Sequence, residues 1–279
     1  MRQVRDYKEL NFSTRSPFIL EAWVQGSRLH KAQAHRVAPY WYASLVIVRH
    51  WVPSGDVSKL EFGLMGPRLK AHIYQPDQGV ELIGLALAPE ALIALFNLRS
   101  DEVMDAFISL TDTSLVESDW AWPILNKAQQ GFDAPGLLAD MAQAVLSSLS
   151  NHNTAIKSSK NNKIAEFMRL DGGQAPIKAL AAHFEVCERG LHRDFTARLG
   201  IGPKAYARLL RFNALLKDLD LNPAKSWAMR ALDFGLSDQA HLNREFAHWI
   251  GVAPRQAAHE RRHGVSDFSK NKAGGTAIM

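Results

Sequence analysis

The sequence predicts an α+β protein in two parts: a small β-sheet domain with helices, followed by an all-α domain. Three observations predict it. Residues 1–150 carry 13 Lys+Arg and 16 Asp+Glu, whereas residues 151–279 carry 20 and 12, so the chain splits into a mildly acidic and a clearly basic half. Strand-like apolar runs are confined to the first half. In the second half, one segment recurs 51 residues further on without a gap.

In the front half, "YASLVIVRHWV" (Tyr42 to Val52), "KLEFGLM" (Lys59 to Met65), "RLKAHIY" (Arg68 to Tyr74) and "VELIGLALA" (Val80 to Ala88) read as strands. Pro and Gly punctuate them at Pro53–Gly55, Gly66–Pro67 and Pro76–Gly79. After Pro89 the pattern turns helical. "PEALIALFN" opens with Pro and Glu, both suited to a first turn. "APGLLADMAQAVLSSLS" spaces Leu138, Met141, Ala142 and Val145 as one helix face. The polar stretch Ser150 to Lys163 reads as a linker, which divides the chain into residues 1–150, a linker over 151–163, a domain over 164–263 and a disordered tail over 264–279.

Downstream, short helices follow one another. "LHRDFTARLGIGPKAY" from Leu191 and "LNREFAHWIGVAPRQA" from Leu242 agree in type at Leu191/Leu242, Arg193/Arg244, Phe195/Phe246, Gly200/Gly251 and Pro203/Pro254. Each copy follows a short apolar helix and a tight turn, "IKALAAHFEV" and "SWAMRALDFGL". Helix, turn, second helix, then Gly and Pro is a helix-turn-helix, present twice. Gly202 to Leu219 reads as one long connecting helix, with Leu209, Phe212 and Leu216 on one side. It could hold two reader helices about 34 Å apart, one duplex turn.

A reader helix needs an apolar side for its scaffold and a side of groups that read base edges. Arg suits guanine, Asn and Gln suit adenine, and Ser, Thr and His are adaptable. The first copy offers Arg189, His192, Arg193 and Thr196 on that side, with Glu188 beside them. The second offers Ser237, Asp238, Gln239, His241, Asn243 and Arg244, with Ser237 or Asp238 a sound N-cap. The basic half would supply affinity for a polyanion.

From about Ile164 to His263 the chain resembles the AraC/XylS-type DNA-binding domain, on "LAAHFEVCERGLHRDFTARLGIGPKAYARLLRF" and "ALDFGLSDQAHLNREFAHWIGVAP". The resemblance implies double-stranded DNA as partner and base contact from Arg189, His192, Arg193, Gln239, His241 and Arg244. It implies phosphate contact from Thr196, Lys204 and Arg255, and RNA polymerase as a further partner. "SPFILEAW", Gly66-Pro67 and "GVELIGLAL" loosely resemble the N-terminal region of one AraC-type subgroup. Departures concentrate in the first unit. Glu185 stands where a turn glycine is common, Cys187 at a Ser-like cap and Gly190 inside the reader helix. Glu188 and Asp194 bring negative charge near phosphates, and Arg230 takes a usually apolar position in the second unit's scaffold helix.

The reading is thus a bacterial, cytoplasmic, sequence-specific transcriptional regulator. Its front half would sense a small-molecule effector or form a homodimer. The rival is a small-molecule-binding or protein-interaction protein whose degenerate repeats no longer bind DNA. No enzyme, metal or cofactor is expected: there is no Gly-rich phosphate loop, no His-Glu-x-x-His and no Cys cluster. His30, His35, His50 and His72 lack paired-ligand spacing. Trp41, Tyr42, Trp51 and Tyr74 could line a ligand pocket, with ordinary core the stronger reading. The longest apolar run, around Leu85 to Leu95, is too short and interrupted to span a membrane, and Met1 to Leu10 is not signal-like.

Overall fold

A computed structural model describes residues 7–10, 16–26, 34–75, 77–111, 120–150, 160–263 and 266–267. The first half is an antiparallel sheet of six strands in the order β1-β2-β7-β4-β5-β8. These are β1 (Tyr7–Leu10), β2 (Ile19–Gly26), β4 (Ala43–Trp51), β5 (Val57–Met65), β7 (Val80–Leu87) and β8 (Phe107–Ser109). The apolar run over residues 80–87 is explained by position: β7 is central and every residue in it is buried. Its side chains alternate between two cores, as a period of two requires. Ile83, Leu85 and Leu87 join Leu45 and Ile47 of β4 under helices α1 (Pro89–Phe96), α2 (Ala121–Gln129) and α3 (Ala134–Ser150). Val80 and Leu82 join Val46 and Trp23 on the opposite face. Trp23 lies flat across Gly84, where a Cβ would sit 2.1 Å from the ring.

Three of the four predicted strands take the expected place. The fourth differs. Of Arg68 to Tyr74, only His72–Tyr74 (β6) is a strand, and it belongs to a second small sheet with β3 (His35–Val37) and β9 (Ser266–Asp267). The backbone just before β6 is occupied otherwise: Arg68 bridges Tyr40, and Ala71 N donates to Trp249 O at 3.1 Å. β9 pairs in parallel with β3, so Ser266 and Asp267 depart from the expected disordered tail; the remainder of that tail lies outside the described residues.

The second half is helical: α4 (Lys160–Leu170), α5 (Ile177–His183), α6 (Glu188–Leu199), α7 (Pro203–Leu221), α8 (Trp227–Asp233), α9 (Gln239–Ile250) and α10 (Pro254–His263). Lys160–Lys163, expected in the linker, are the first turn of α4; residues 151–159 lie outside the described residues. The long helix α7 serves both units. Its start (Tyr206, Ala207, Leu210) packs with Leu191 and Phe195 of α6, and its remainder (Leu209, Phe212, Leu216) with Leu242, Phe246 and Ile250 of α9. At 19 residues it is about 28 Å long.

Candidate nucleic-acid interface

Both reader helices start and stop by local chemistry. α9 is capped by Asp238, whose carboxylate accepts from His241 N at 2.6 Å. That bond holds the Asp238 carboxyl below the usual carboxylate range. α6 is capped by Cys187, whose sulfur accepts from Gly190 N at 3.3 Å. A Cβ on residue 190 would meet that sulfur at 3.0 Å, so the glycine inside α6 makes room for its own cap. Gly200 and Gly251 end the two helices in the left-handed region, at φ of 73° and 72°. The turn before α6 needs the same conformation: Glu185 sits at φ +54°, and its counterpart Gly235 at +66°.

With the apolar stripes packed on α7, the opposite faces are left outside. Arg189, His192, Arg193 and Thr196 of α6 are all exposed, at i, i+3, i+4 and i+7 on one face. The His192 ring lies over Gly202. On α9, Gln239, Asn243 and Arg244 are exposed. Among the described residues, Arg189, Arg193, Gln239, Asn243 and Arg244 have no hydrogen-bond or ion-pair partner. Lys204 and Arg255, at the starts of α7 and α10, are likewise exposed and unpaired among the described residues.

Other candidates are engaged locally. Ser237 Oγ contacts Asp238 Oδ2 at 3.1 Å and His241 Nδ1 at 3.4 Å, and His241 Nε2 lies 3.6 Å from Glu245. Two acidic residues on these helices, Asp194 and Glu245, are tied down by arginines, whereas Glu188 at the start of α6 is exposed. Asp194 pairs with Arg198 at 3.1 Å. Glu245, at the equivalent position of α9, is buried and accepts from Arg208 at 2.8 Å and from Trp249 Nε1 at 3.0 Å. Burial alone would raise the Glu245 carboxyl; the Arg208 and Trp249 hydrogen bonds outweigh it, and its pKa lies below the ordinary value. Arg230 is also buried, its Nε donating to Asp218 Oδ2 at 2.8 Å.

A set of contacts with no sequence signal joins the sheet half to both reader helices. The last carbonyls of an α-helix have no intrahelical partner. At the end of α9 they are met one after another: Lys70 Nζ donates to His248 O at 2.9 Å, Ala71 N to Trp249 O at 3.1 Å and Arg36 NH1 to Ile250 O at 3.2 Å. At the end of α6, Ser100 N donates to Arg198 O at 3.0 Å. Trp41 reaches both helix-turn-helix cores, with its ring 5.2 Å from Tyr206. Glu90 of α1 pairs with Arg169 of α4 at 3.2 Å, both nearly buried. Of the aromatic candidates, Trp41 and Tyr42 meet edge-on at 5.5 Å, and Tyr42 bonds Glu21, whereas Trp51 Nε1 donates to Glu81 at 3.2 Å and Tyr74 stands edge-on to His35. His35 pairs with Gln25 and His50 with Glu61; His30 lies outside the described residues.

Two helix-turn-helix units hang on one shared helix, α7. Residues 180–260 match the family model described as "Helix-turn-helix domain". No curated protein sequence matches the chain. Among solved structures, ToxT from Vibrio cholerae O395 is similar at 9% identity with a TM-score of 0.44, over 92% of this chain and 98% of that one. Another ToxT structure from Vibrio cholerae, at 1.65 Å resolution, gives 10% identity and a TM-score of 0.46, over 85% and 98%. ToxT bound to an unsaturated fatty acid gives 10% identity and 0.42, over 86% and 95%. Among the described residues, no helix is long and apolar enough to cross a membrane.

Proposed function

We propose that the chain is a sequence-specific transcriptional regulator whose helices α6 and α9 enter successive major grooves on one face of DNA. The observation that carries this reading is the pairing of two exposed reader faces on one rigid helix. Arg189 and Arg193 lie on one face, Gln239, Asn243 and Arg244 on the other, all exposed and without a side-chain hydrogen bond or close ion pair among the described residues, Arg244 lying within the electrostatic reach of Asp238. Exposed Arg, Asn and Gln in such numbers are the groups that make bidentate contacts to guanine and adenine. Thr196, Lys204 and Arg255 are assigned to phosphates, His192 and His241 to bases, and Ser237 to the cap region beside them. Affinity selection from random duplexes tests this. A recovered motif of two half-sites about one turn apart is expected; recovery of no motif would favour a repeat domain that has lost DNA binding.

Residues 1–150 are assigned to sensing or dimerisation, and residues 164–263 to reading. Support for coupling between them comes from the donors on the α6 and α9 carbonyls. Any rearrangement of the 36–41, 68–71 or 97–106 segments, by an effector or by a second copy, changes how the two readers are held. Arg36→Ala with Lys70→Ala removes two of the α9 contacts while leaving every reader side chain in place. The expected result is altered affinity for a two-half-site duplex with unchanged affinity for a single half-site. Equal effects on both duplexes would count against coupling.

A further inference from the structure

Beside the second reader lies a cleft of about 240 Å³ between α8 and α10, floored by the end of α7. Five cations line it, Lys225, Arg230, Arg255, Arg261 and Arg262, together with the indole of Trp227. Three of the five are neutralised within the protein. Arg230 pairs with Asp218 at 2.8 Å, Arg261 is held by Asp220, and Lys225 reaches Asp218 at 3.2 Å and also Asp233. Three acids therefore offset three bases. Arg255 and Arg262 are left over, exposed and without an ion-pair or hydrogen-bond partner among the described residues.

We infer that this cleft is a phosphate-binding site that takes the DNA backbone flanking the half-site read by α9, with Arg255 and Arg262 as its contacts. Two exposed, unneutralised arginines lining a cleft whose other charges cancel favour an anion, and the planar fork of arginine matches phosphate oxygens. Backbone DNA is the source the placement favours. The cleft belongs to the same unit as α9, and α10 begins directly after α9 at Pro254. Residues 255 and 262 are seven apart on one helix, about 10 Å of rise. Phosphates of one strand recur about every 3.4 Å along the duplex axis, so the two arginines engage different phosphates. Trp227 packs edge-on to Phe246 of α9, so the wall of the cleft is continuous with the reader's core.

This inference rests on the DNA-binding reading, and its test separates the two. The full chain is titrated against its selected duplex and a scrambled one by fluorescence anisotropy, over about 50–200 mM salt. For Arg262→Ala, the slope of log affinity against log salt falls by about one, and for Arg255→Ala/Arg262→Ala by about two, with matched and scrambled duplexes weakened alike. Arg262→Lys keeps the slope. An unchanged slope in the double variant, while the wild type still prefers its matched site, overturns the cleft and leaves the regulator reading standing. Calorimetric titration with pyrophosphate is the second arm. Tight binding lost in the double variant, with the DNA slope unmoved, would replace the backbone by a small phosphorylated ligand. A wild type without duplex preference overturns both.

Discussion

Arg230 donates from Nε to Asp218 Oδ2 at 2.8 Å, joining the scaffold helix α8 to the connecting helix α7, and both residues are buried. The guanidinium also donates to Lys225 O at 2.9 Å and to Asn222 O. A charged residue thus holds a position where an apolar one would suffice. Asp218 keeps Asn222 Nδ2 at 2.6 Å and Lys225 Nζ at 3.2 Å when Arg230 is removed, so what is lost is a buried charged donor and its packing, not the last partner of the carboxylate. Arg230→Ala is expected to cost about 1–3 kcal/mol, and Arg230→Met, which fills the space, recovers part of that loss. Urea unfolding of the two variants checks this; equal destabilisation by both would show that the hydrogen bonds, not the packing, carry the cost.

Glu185 occupies the left-handed region at φ +54°, where its repeat counterpart is Gly235 at +66°. Among the described residues its side chain pairs with Lys160 at 3.3 Å, an exposed contact that contributes little. Glu185→Gly is therefore expected to stabilise the chain by about 1 kcal/mol, because relief of the backbone conformation exceeds the entropy that glycine adds to the unfolded state. The urea midpoint should rise, with DNA sequence preference unaltered. A lower midpoint would contradict the assignment of strain to this turn.

Burial, with Arg68 and His35 as positive neighbours, pushes the His72 imidazole down to about 4, against a partial opposing pull from Asp105. In the unfolded chain the ring takes a proton near its ordinary value of 6.5. Between these values the unfolded state binds more protons, so stability is complete above about 6.5 and falls as pH drops towards about 4. His72→Leu should flatten that limb. Urea midpoints taken near pH 7 and near pH 5 should differ less in the variant than in the wild type. An undiminished difference would assign the acid limb to other groups.

What could be read from the chain was local. The stretch Ala134–Ser150 and the α3 helix coincide, because spacing of Leu138, Met141 and Val145 on one face needs no distant partner to be seen. The two reader helices were legible for the same reason, and their exposed faces follow from burial of the Leu-Phe-Ile stripes. The second strand was not. Ile19–Gly26 places Gln25 inside, where His35 satisfies it, so its alternation is broken by a polar residue whose partner lies elsewhere. Strands of three residues, such as His35–Val37 and His72–Tyr74, are too short to show a period at all. The carbonyl contacts of Lys70 and Arg36 span 178 and 214 residues, a separation at which no pattern in one sequence speaks. At the site itself, type and spacing point to Ser237 and His241; that both also join the cap network around Asp238 depends on local geometry and has no signal in residue type.

Arg244 and Lys204 are both exposed cations, and the proposed interface assigns them opposite roles. Arg244 sits on the outward face of α9, one turn in from its N-terminus, beside Asn243. In the proposed docking a guanidinium there would face base edges. Lys204 lies in the first turn of α7, just after the end of the first reader, where it would face the DNA backbone. Arg244→Ala should cost about 1–3 kcal/mol on the matched duplex and relax choice at one base position, with little effect on a scrambled duplex. Lys204→Ala should weaken matched and scrambled duplexes alike and lower the salt slope by about one. Anisotropy titrations of the two variants against both duplexes give the comparison. If Arg244→Ala weakened both duplexes equally, its guanidinium would be a backbone contact, and base reading by α9 would fall to Gln239 and Asn243.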